Sequence, residues 1–354
     1  MHHRLIISVI ILSLVIAYGP AAAAADDALT IGPLTVQRGE AKSGFIPVPE
    51  KDGVGTVIPV TVIHGGKKGK ILALVAGTHG YEYPPILALY RLKNMIDPGR
   101  LSGTLVLVHI ANMPSFQKRT IYYNPDDWKN LNRVFPGTPQ GTLSQRMAYV
   151  LTENIVKTCD ALIDLHCGDG NEALIPYSYW MISDNKTLDG QTREMALAFG
   201  LRHIIMDTTR TKDPADSKYL GNTAILRGKP AITTESGFLG RTDEDDIVRN
   251  IKGIQNVMRL FKMIEGKPEF AGDPVWIDKY EVVNSKSDGL FYPKVGMGAT
   301  VSEGQTVGLV QDYFGAVKED VKAPFAGIIL YIIGTPPTNN GEPLFEVGRI
   351  KKSR

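Results

Sequence analysis

Apolar and polar residues along this chain are arranged in blocks whose spacing changes from strand-like to helix-like and back. Apolar runs with the length of buried strands lie at residues 71–76, 104–110, 161–165 and 230–234. Longer stretches with apolar residues at helical spacing lie at residues 84–96, 141–157, 188–199 and 243–264. This alternation predicts an α/β fold in which helices cover a mostly parallel sheet.

The pattern changes near the C-terminal end of the chain. From about residue 272 to residue 350 the apolar runs are short and β-rich, glycines are frequent and helical spacing is lost. This pattern predicts a small all-β domain. The boundaries that we predict are residues 26–268 for the α/β domain and residues 269–354 for the β-rich domain.

Residues 1–25 have the pattern of a secretory signal peptide. His2, His3 and Arg4 form a short basic start, residues 5–17 are almost wholly apolar, and the alanines at 21–25 offer a cleavage site. The apolar segment is short for a membrane span, and an uncleaved anchor is the alternative interpretation. We therefore expect an exported protein, periplasmic or secreted, with no membrane span in the mature chain.

The charge of the chain argues against nucleic-acid and membrane partners, and the spacing of its two cysteines argues against a disulfide bond between them. The formal charge of +2 would fall to +1 with the loss of Arg4, and no basic block is present, so neither nucleic acid nor a membrane surface is expected as a partner. Cys159 and Cys167 flank a predicted strand. Eight extended residues span roughly 26 Å, whereas disulfide-bonded Cα atoms lie within about 7 Å. We expect these cysteines not to bond to each other, even in an oxidising compartment.

The first candidate for chemistry is the segment 77–82, Gly-Thr-His-Gly-Tyr-Glu, which leads through two prolines into a predicted helix. Its His79 and Glu82 follow a predicted strand, where open α/β sheets place their ligands, and His166 ends a second strand. Two histidines and one glutamate form a known catalytic zinc set that leaves a position open for water. Asp164 is a candidate to orient His166. Taken singly, each residue is more simply a solvated side chain.

Hydrolysis at such a site needs further groups. Zinc with three protein ligands lowers the pKa of its water to about 7, and a general base and acid must then move the proton. Glu235, at the end of another apolar strand, is the candidate for that role. Arg133 is the candidate to hold a substrate carboxylate, with Asn132 as an added donor. Arg119 is the candidate to donate to the developing oxyanion.

Four motifs in this order resemble the succinylglutamate desuccinylase/aspartoacylase family of the zinc carboxypeptidase superfamily. They are GTHGYE at 77–82, NLNRVFPG at 130–137, DLH at 164–166 and TTESG at 233–237. The resemblance runs from about residue 55 to residue 350. It implies a carboxypeptidase-like three-layer α/β/α fold and one zinc ion per chain. The site residues that it implies are His79, Glu82 and His166 at zinc, Glu235 as general base and acid, Asn132 and Arg133 at a carboxylate, and Arg119 at the carbonyl oxygen.

The C-terminal glycine pattern resembles the barrel-sandwich domain that closes this family and is similar to lipoyl and biotinyl carriers. The corresponding hairpin tip, residues 312–315, contains no lysine for attachment, so the expected role of the domain is to narrow access to the zinc site. The superfamily also uses a tyrosine that closes on substrate, for which Tyr81 and Tyr292 are the candidates.

Our leading hypothesis from the sequence is a zinc-dependent hydrolase that cleaves the amide of an N-acyl amino acid or a similar small carboxylate. The alternative is an exported metallocarboxypeptidase or a cell-wall peptide amidase, which the export signal favours and a crowded cleft disfavours. A third hypothesis is an inactive binding protein. It is disfavoured because the ligands, the base and both arginines are all present.

Overall fold

The computed structural model describes residues 27–270 and 272–352, so the predicted signal peptide lies outside the described residues. The α-helices, numbered in chain order, are α1 (Tyr83–Met95), α2 (Met113–Lys118), α3 (Leu143–Leu151), α4 (Lys186–Phe199), α5 (Leu220–Ile225) and α6 (Glu244–Leu260). The first eleven strands are β1 (Leu29–Ile31), β2 (Leu34–Val36), β3 (Glu40–Lys51), β4 (Val54–His64), β5 (Lys67–Val75), β6 (Ser102–Val108), β7 (Ala161–His166), β8 (Glu172–Leu174), β9 (Tyr177–Met181), β10 (His203–Asp207) and β11 (Ala231–Glu235). The remaining strands are β12 (Val275–Asn284), β13 (Gly289–Pro293), β14 (Thr300–Val301), β15 (Thr306–Gln311), β16 (Val317–Lys322), β17 (Gly327–Ile333), β18 (Pro337–Thr338) and β19 (Pro343–Ile350).

Thirteen strands form one large sheet. Twelve of them follow the order β14-β17-β19-β12-β10-β9-β11-β7-β5-β6-β4-β3, and β8 pairs with β17. At the centre, β6, β5, β7 and β11 run parallel to one another. These four strands are the ones that the apolar runs predict, and they are buried on both faces, as parallel strands usually are.

The expectation of a mostly parallel sheet is wrong, because the sheet is mixed. β9 runs antiparallel to β11, and β3, β4 and β6 form antiparallel pairs at one edge. Only ten residues, 167–176, separate β7 from β9. A parallel return needs a crossover of about a dozen residues or more, so the chain reverses its direction instead.

Helices cover both faces of the central sheet. Leu74 of β5 belongs to a hydrophobic cluster that contains side chains of α1, α4 and α6. The next residue, Val75, belongs to a second cluster that contains side chains of α3 and α5. Because successive strand residues point to opposite faces, one short apolar run holds helices on both sides. The α/β class predicted from the sequence is confirmed.

All regular elements from residue 275 to residue 350 are strands. β12 joins the large sheet by pairing in parallel with β10, and β19 and β17 follow it in antiparallel order. A separate four-stranded sheet has the order β16-β15-β13-β18. The C-terminal strands therefore extend the sheet of the preceding segment. The domain boundary near residue 268 and the barrel-sandwich likeness stay predictions.

Two further findings concern the helices and the thiols. Within residues 27–270 and 272–352, every helix is too short or too polar to cross a bilayer. Cys159 and Cys167 are both free and buried, which confirms that they do not bond to each other. Both thiols lie inside packed protein, each with 1% of its surface exposed.

We expect thiol titration to distinguish the native from the unfolded chain. Two thiols per chain should react with an aromatic disulfide reagent in guanidinium chloride and none in native buffer, because burial blocks the reagent. A reducing agent should leave the melting temperature unchanged. Fewer than two reactive thiols after unfolding would contradict the free state of the cysteines.

Candidate active site

Three neighbouring strands of the central sheet end at the same edge. His166 is the last residue of β7, Glu235 is the last residue of β11, and the two are register partners. β5 pairs in parallel with β7 on the other side and leads directly into the loop that contains His79. Because parallel strands have their carboxyl ends at one edge, residues far apart in sequence meet there.

Gly77 and Glu82 define the conformation of the loop after β5. Gly77 has a φ of 68°, and a Cβ atom there would lie 3.0 Å from the Cα of Ile110, so glycine suits both the backbone and the space. Glu82 directly precedes α1, which has prolines in its first turn as the sequence predicts. The Glu82 side chain does not cap the helix. One carboxylate oxygen accepts a hydrogen bond of 3.1 Å from the His79 backbone N–H.

The structure brings His79, Glu82 and His166 together. Nδ1 of each histidine lies 2.8 Å from the same oxygen, Oε1 of Glu82. One ligand atom from each residue lies within 4.8 Å of the other two, a spacing that a single ion can bridge. All three residues are buried, with 8%, 2% and 2% of their surfaces exposed. Two imidazoles and a carboxylate are suitable zinc donors.

The second nitrogen of each histidine faces an oxygen. Nε2 of His166 lies 3.0 Å from Oδ1 of Asp164, which is fully buried, and Nε2 of His79 lies 3.1 Å from Oδ1 of Asn130. With a metal ion bound, a proton on each Nε2 would leave each Nδ1 lone pair free to coordinate the ion. Asp164 therefore lies where an orienting partner is expected. The sequence reasoning gave Asn130 no role of its own, although it begins the NLNRVFPG motif.

The pKa values of the Glu82 and Glu235 carboxyls are shifted in opposite directions. Burial acts to raise the pKa of the Glu82 carboxyl, but the adjacent His166 and His79 outweigh burial and hold that pKa below its usual range. Glu235 behaves in the opposite way. Burial raises the pKa of the Glu235 carboxyl well above its usual range, and His166 opposes this shift only in part. The pKa values of two carboxyls in one site are thus shifted in opposite directions, a contrast that is often found at catalytic sites.

Asn132 and Arg133 line the same cavity as the three ligands. Oδ1 of Asn132 accepts a hydrogen bond of 2.9 Å from Leu220 N–H, and its amide nitrogen lies 3.2 Å from Nε2 of His166. Arg133 is exposed, and its guanidinium lies 4.7 Å from the ring centre of Tyr219. In the ranges 27–270 and 272–352, no carboxylate pairs with Arg133, so its charge is available to a ligand.

Arg119 is not among the residues that line this cavity. It follows α2 with a left-handed φ of 55°, and its exposed side chain lines a separate groove with Tyr83 and Phe116. The two tyrosines considered for closure, Tyr81 and Tyr292, do not line the cavity either. The role assigned to Arg119 stays a prediction, and other tyrosines occupy the cavity wall.

Several cavity residues were missed by sequence reasoning. They are Tyr122, Tyr177, Tyr179, Tyr219, Tyr280 and Tyr331, together with Glu172, Arg210 and Glu346. Glu346 interrupts the apolar run of β19, and a charged residue inside a buried strand pattern was the one signal that could have found it. Arg210 lies three residues beyond β10 and Glu172 begins the short strand β8, so neither directly follows an apolar run that could have indicated it.

The C-terminal strands supply part of the cavity wall. Tyr280 and Val282 of β12, Tyr331 of β17 and Glu346 of β19 all line it. In the sheet, Glu346 lies beside Val282 on one neighbouring strand and beside Tyr331 on the other. The cavity volume is ≈ 180 Å³. The C-terminal segment thus forms part of the cavity wall, and its role in narrowing access to the zinc site stays a prediction.

Known proteins resemble this chain over most of its length. A family model described as the succinylglutamate desuccinylase/aspartoacylase catalytic domain matches residues 68–261. N-alpha-acetyl-L-2,4-diaminobutyric acid deacetylase from Halomonas elongata is 28% identical over 323 residues, which are 88% of this chain and 92% of that protein. A succinylglutamate desuccinylase/aspartoacylase structure from Rhodobacter sphaeroides has a TM-score of 0.77 at 25% identity and covers 88% of this chain and 96% of its own. The product-bound ectoine utilization protein EutE (DoeB) from Ruegeria pomeroyi has a TM-score of 0.77 at 24% identity, covering 87% and 95%.

We expect Glu346→Gln to change how stability depends on pH. Burial raises the pKa of the Glu346 carboxyl from 4.5 to about 8, so the folded chain binds a proton that the unfolded chain has released across this window. This carboxyl therefore makes folded wild type less stable as pH rises from about 4.5 to about 8. The variant should match wild type near pH 5 and melt at a higher temperature above pH 8. Parallel melting curves across the whole range would contradict the shift.

Proposed function

The chain belongs to the succinylglutamate desuccinylase/aspartoacylase family, and on this premise we propose that it is a zinc-dependent hydrolase of N-acyl amino acids. His79, Glu82 and His166 would hold one zinc ion. The observation that carries the proposal is the convergence of both Nδ1 atoms on one Glu82 oxygen, with Glu235 ending the adjacent strand. The buried donor set fits zinc in number and in kind.

The remaining groups of the site have separate tasks in this proposal. Zinc would supply Lewis-acid polarisation and a water of lowered pKa, about 7. Glu235 accepts the proton of the attacking water and returns it to the leaving amine, which makes the products a free carboxylate and a free amine. The raised pKa of Glu235 suits a group that must hold the proton between these two events.

Arg133 supports a substrate with a carboxylate. Its guanidinium lies along the wall of the ligand cavity without a carboxylate partner in the described residues, and Asn132 adds an amide nitrogen beside His166. For Arg119, the proposed role at the carbonyl oxygen rests on the family resemblance. The Halomonas elongata relative is named as a deacetylase of an N-acetylated amino acid, which agrees with a small acyl group next to a free carboxylate.

The peptidase alternative fits the cavity less well. Pockets that enclose drug-sized ligands have volumes of roughly 300–1,000 Å³, and this one has ≈ 180 Å³. Tyr331 and Glu346 form part of the wall that bounds this volume. We also propose, from the N-terminal pattern and from the C-terminal glycines, that the protein is exported and that residues 269–354 form a barrel-sandwich domain.

Amine release by the purified mature protein tests the proposal. The panel contains N-acetyl, N-succinyl and N-formyl amino acids together with acylated tetrapeptides, each with and without added zinc. Zinc-dependent release from the small compounds is the expected result. Release from peptides alone would assign the protein to the peptidase class, and zinc binding without any release would favour a binding role.

We expect Glu235→Gln to retain zinc and to lose turnover. The amide is isosteric but cannot accept a proton, and positioned acid–base groups contribute about 10²–10⁴-fold to rates. Metal content measured by mass spectrometry should equal that of wild type, while kcat falls by at least about a hundredfold. Turnover that survives would remove Glu235 from the mechanism. Loss of metal would show a structural effect instead.

Arg133→Met is expected to weaken substrate binding through the carboxylate. A lost hydrogen bond between charged groups corresponds to an increase of about 10–150-fold in KM. Substrates whose carboxylate is replaced by a carboxamide provide the control, because wild type and variant should treat these alike. An equal loss with acid and amide substrates would contradict a contact between Arg133 and the carboxylate.

A further inference from the structure

Asp169 follows the candidate ligand His166 in the loop after β7 and has no part in the proposed chemistry. It is almost fully buried, with 1% of its surface exposed. Within residues 27–270 and 272–352, its carboxylate takes part in no ion pair. A carboxylate buried without a cationic partner is costly unless hydrogen bonds satisfy it, so the groups that donate to Asp169 indicate what it does.

The Asp169 carboxylate accepts three backbone hydrogen bonds. Oδ1 accepts from Tyr81 N–H at 3.2 Å and from Gly170 N–H at 2.8 Å, and Oδ2 accepts from Tyr122 N–H at 2.7 Å. Tyr81 belongs to the loop after β5, and Tyr122 belongs to the segment after α2. One side chain therefore connects the loops after β5 and β7 to a third segment of the chain.

Asp169 is itself anchored to the sheet. Glu172 N–H donates to the Asp169 carbonyl oxygen at 3.0 Å, and Asp169 N–H donates to Oε2 of Glu172 at 3.2 Å. Glu172 begins β8, which pairs with β17. The carboxylate thus has a defined position from which it can hold the two segments that donate to it.

These two segments pack directly against each other. A Cβ atom at Gly80 would lie 2.3 Å from the carbonyl oxygen of Thr120, so glycine is needed for this approach of the two backbones. Gly80 separates His79 from Tyr81. A displacement of the segment after α2 would therefore reach the loop that carries His79.

Tyr122 also contacts His79 through its side chain. Its backbone has a left-handed φ of 58°, a conformation that is costly for a bulky residue and persists where the surroundings enforce it. The hydrogen bond to Asp169 is made at this residue. The Tyr122 and His79 rings meet edge to face, with centres 6.0 Å apart and an interplanar angle of 86°. Both residues line the cavity.

We propose that Asp169 is a positioning residue that fixes His79 by holding the backbones of Tyr81 and Tyr122. The inference rests on the proposed function, because it takes His79 as a zinc ligand. Asn130 faces the second nitrogen of His79, whereas Asp169 acts on the loop and on the aromatic ring beside it. Loss of the carboxylate loosens both, so zinc binding weakens and the arrangement of the ligands changes.

Matched substitutions of two buried aspartates test the assignment. Asp169→Asn keeps the size of the side chain, but its amide nitrogen cannot accept an N–H donor. The control is Asp189→Asn, because Asp189 is also buried, accepts from Ser183 N–H and does not line the cavity. Both variants should melt at a lower temperature. Only Asp169→Asn should raise the zinc Kd of the metal-free protein, by about 10–100-fold, the range for residues that orient metal ligands.

Cobalt(II) provides a second measurement, because its visible absorption depends on the geometry of its ligands. The spectrum at saturating cobalt should change in Asp169→Asn and should match wild type in Asp189→Asn. A loss of stability alone would move neither the spectrum nor the zinc Kd of the folded protein. An unchanged zinc Kd in Asp169→Asn, or an equal change in both variants, would overturn the proposal.

Substitutions of Tyr122 test the same contact where Asp169→Asn fails to fold. Tyr122→Ala removes the ring and leaves the backbone hydrogen bond to Asp169, so the zinc Kd should rise by about 2–13-fold, the range of an aromatic pair. Tyr122→Phe keeps the ring, and its zinc Kd should equal that of wild type. Equal zinc Kd values in wild type and Tyr122→Ala would overturn the contact with His79 and the proposal with it.

Metal binding and turnover together separate this inference from the proposed function. If the zinc Kd values follow the expected order and wild type hydrolyses no N-acyl amino acid, the inference stands and the proposed function fails. Zinc-dependent hydrolysis with one zinc Kd for wild type and all variants would give the reverse result. Wild type that binds neither zinc nor cobalt would overturn both.

Discussion

The site depends on a carboxylate that is buried between two histidines. Glu82 is almost fully enclosed, and its charge is compensated on both sides by Nδ1 atoms at 2.8 Å. A cluster of this kind is costly unless every member is positioned, because an uncompensated buried charge destabilises the fold strongly. The positions come from the sheet. β5, β7 and β11 are adjacent and parallel, so their ends bring the cluster and Glu235 to one edge.

Two polar residues outside the cluster face the second nitrogen of each histidine. Asp164 and Asn130 face the Nε2 atoms of the two histidines, where they would orient both rings if a metal ion replaced the Nδ1–H contacts to Glu82. Asp164 lies on the same strand as His166, and Asn130 belongs to the turn that also carries Asn132 and Arg133. The turn therefore places a residue that faces His79 next to the two residues proposed to bind the substrate carboxylate.

The grouping of the three candidate ligands was predictable from the sequence, and the C-terminal wall of their cavity was not. His166 and Glu235 each end a short apolar run, and His79 and Glu82 lie in the loop after another, so a local pattern shows both the strand and the polar residues after it. Glu346 meets Tyr179 across 167 residues of sequence, and this contact depends on β12 joining β10 in the large sheet. Strand partners of that separation leave no local signal. The antiparallel direction of β9 has a local cause instead, the ten-residue connection from β7, but no apolar run predicted β9 itself.

The family motifs and part of the cavity wall lie in different regions of the chain. The four motifs all lie before residue 240, on the central strands and the loops beside them. They contain the proposed zinc ligands and the proposed base. Tyr280, Tyr331 and Glu346 of the C-terminal strands line the same cavity and lie outside every motif. The motifs therefore leave part of the cavity lining unspecified, because the pairing of β12 with β10 is what brings the C-terminal strands to the site.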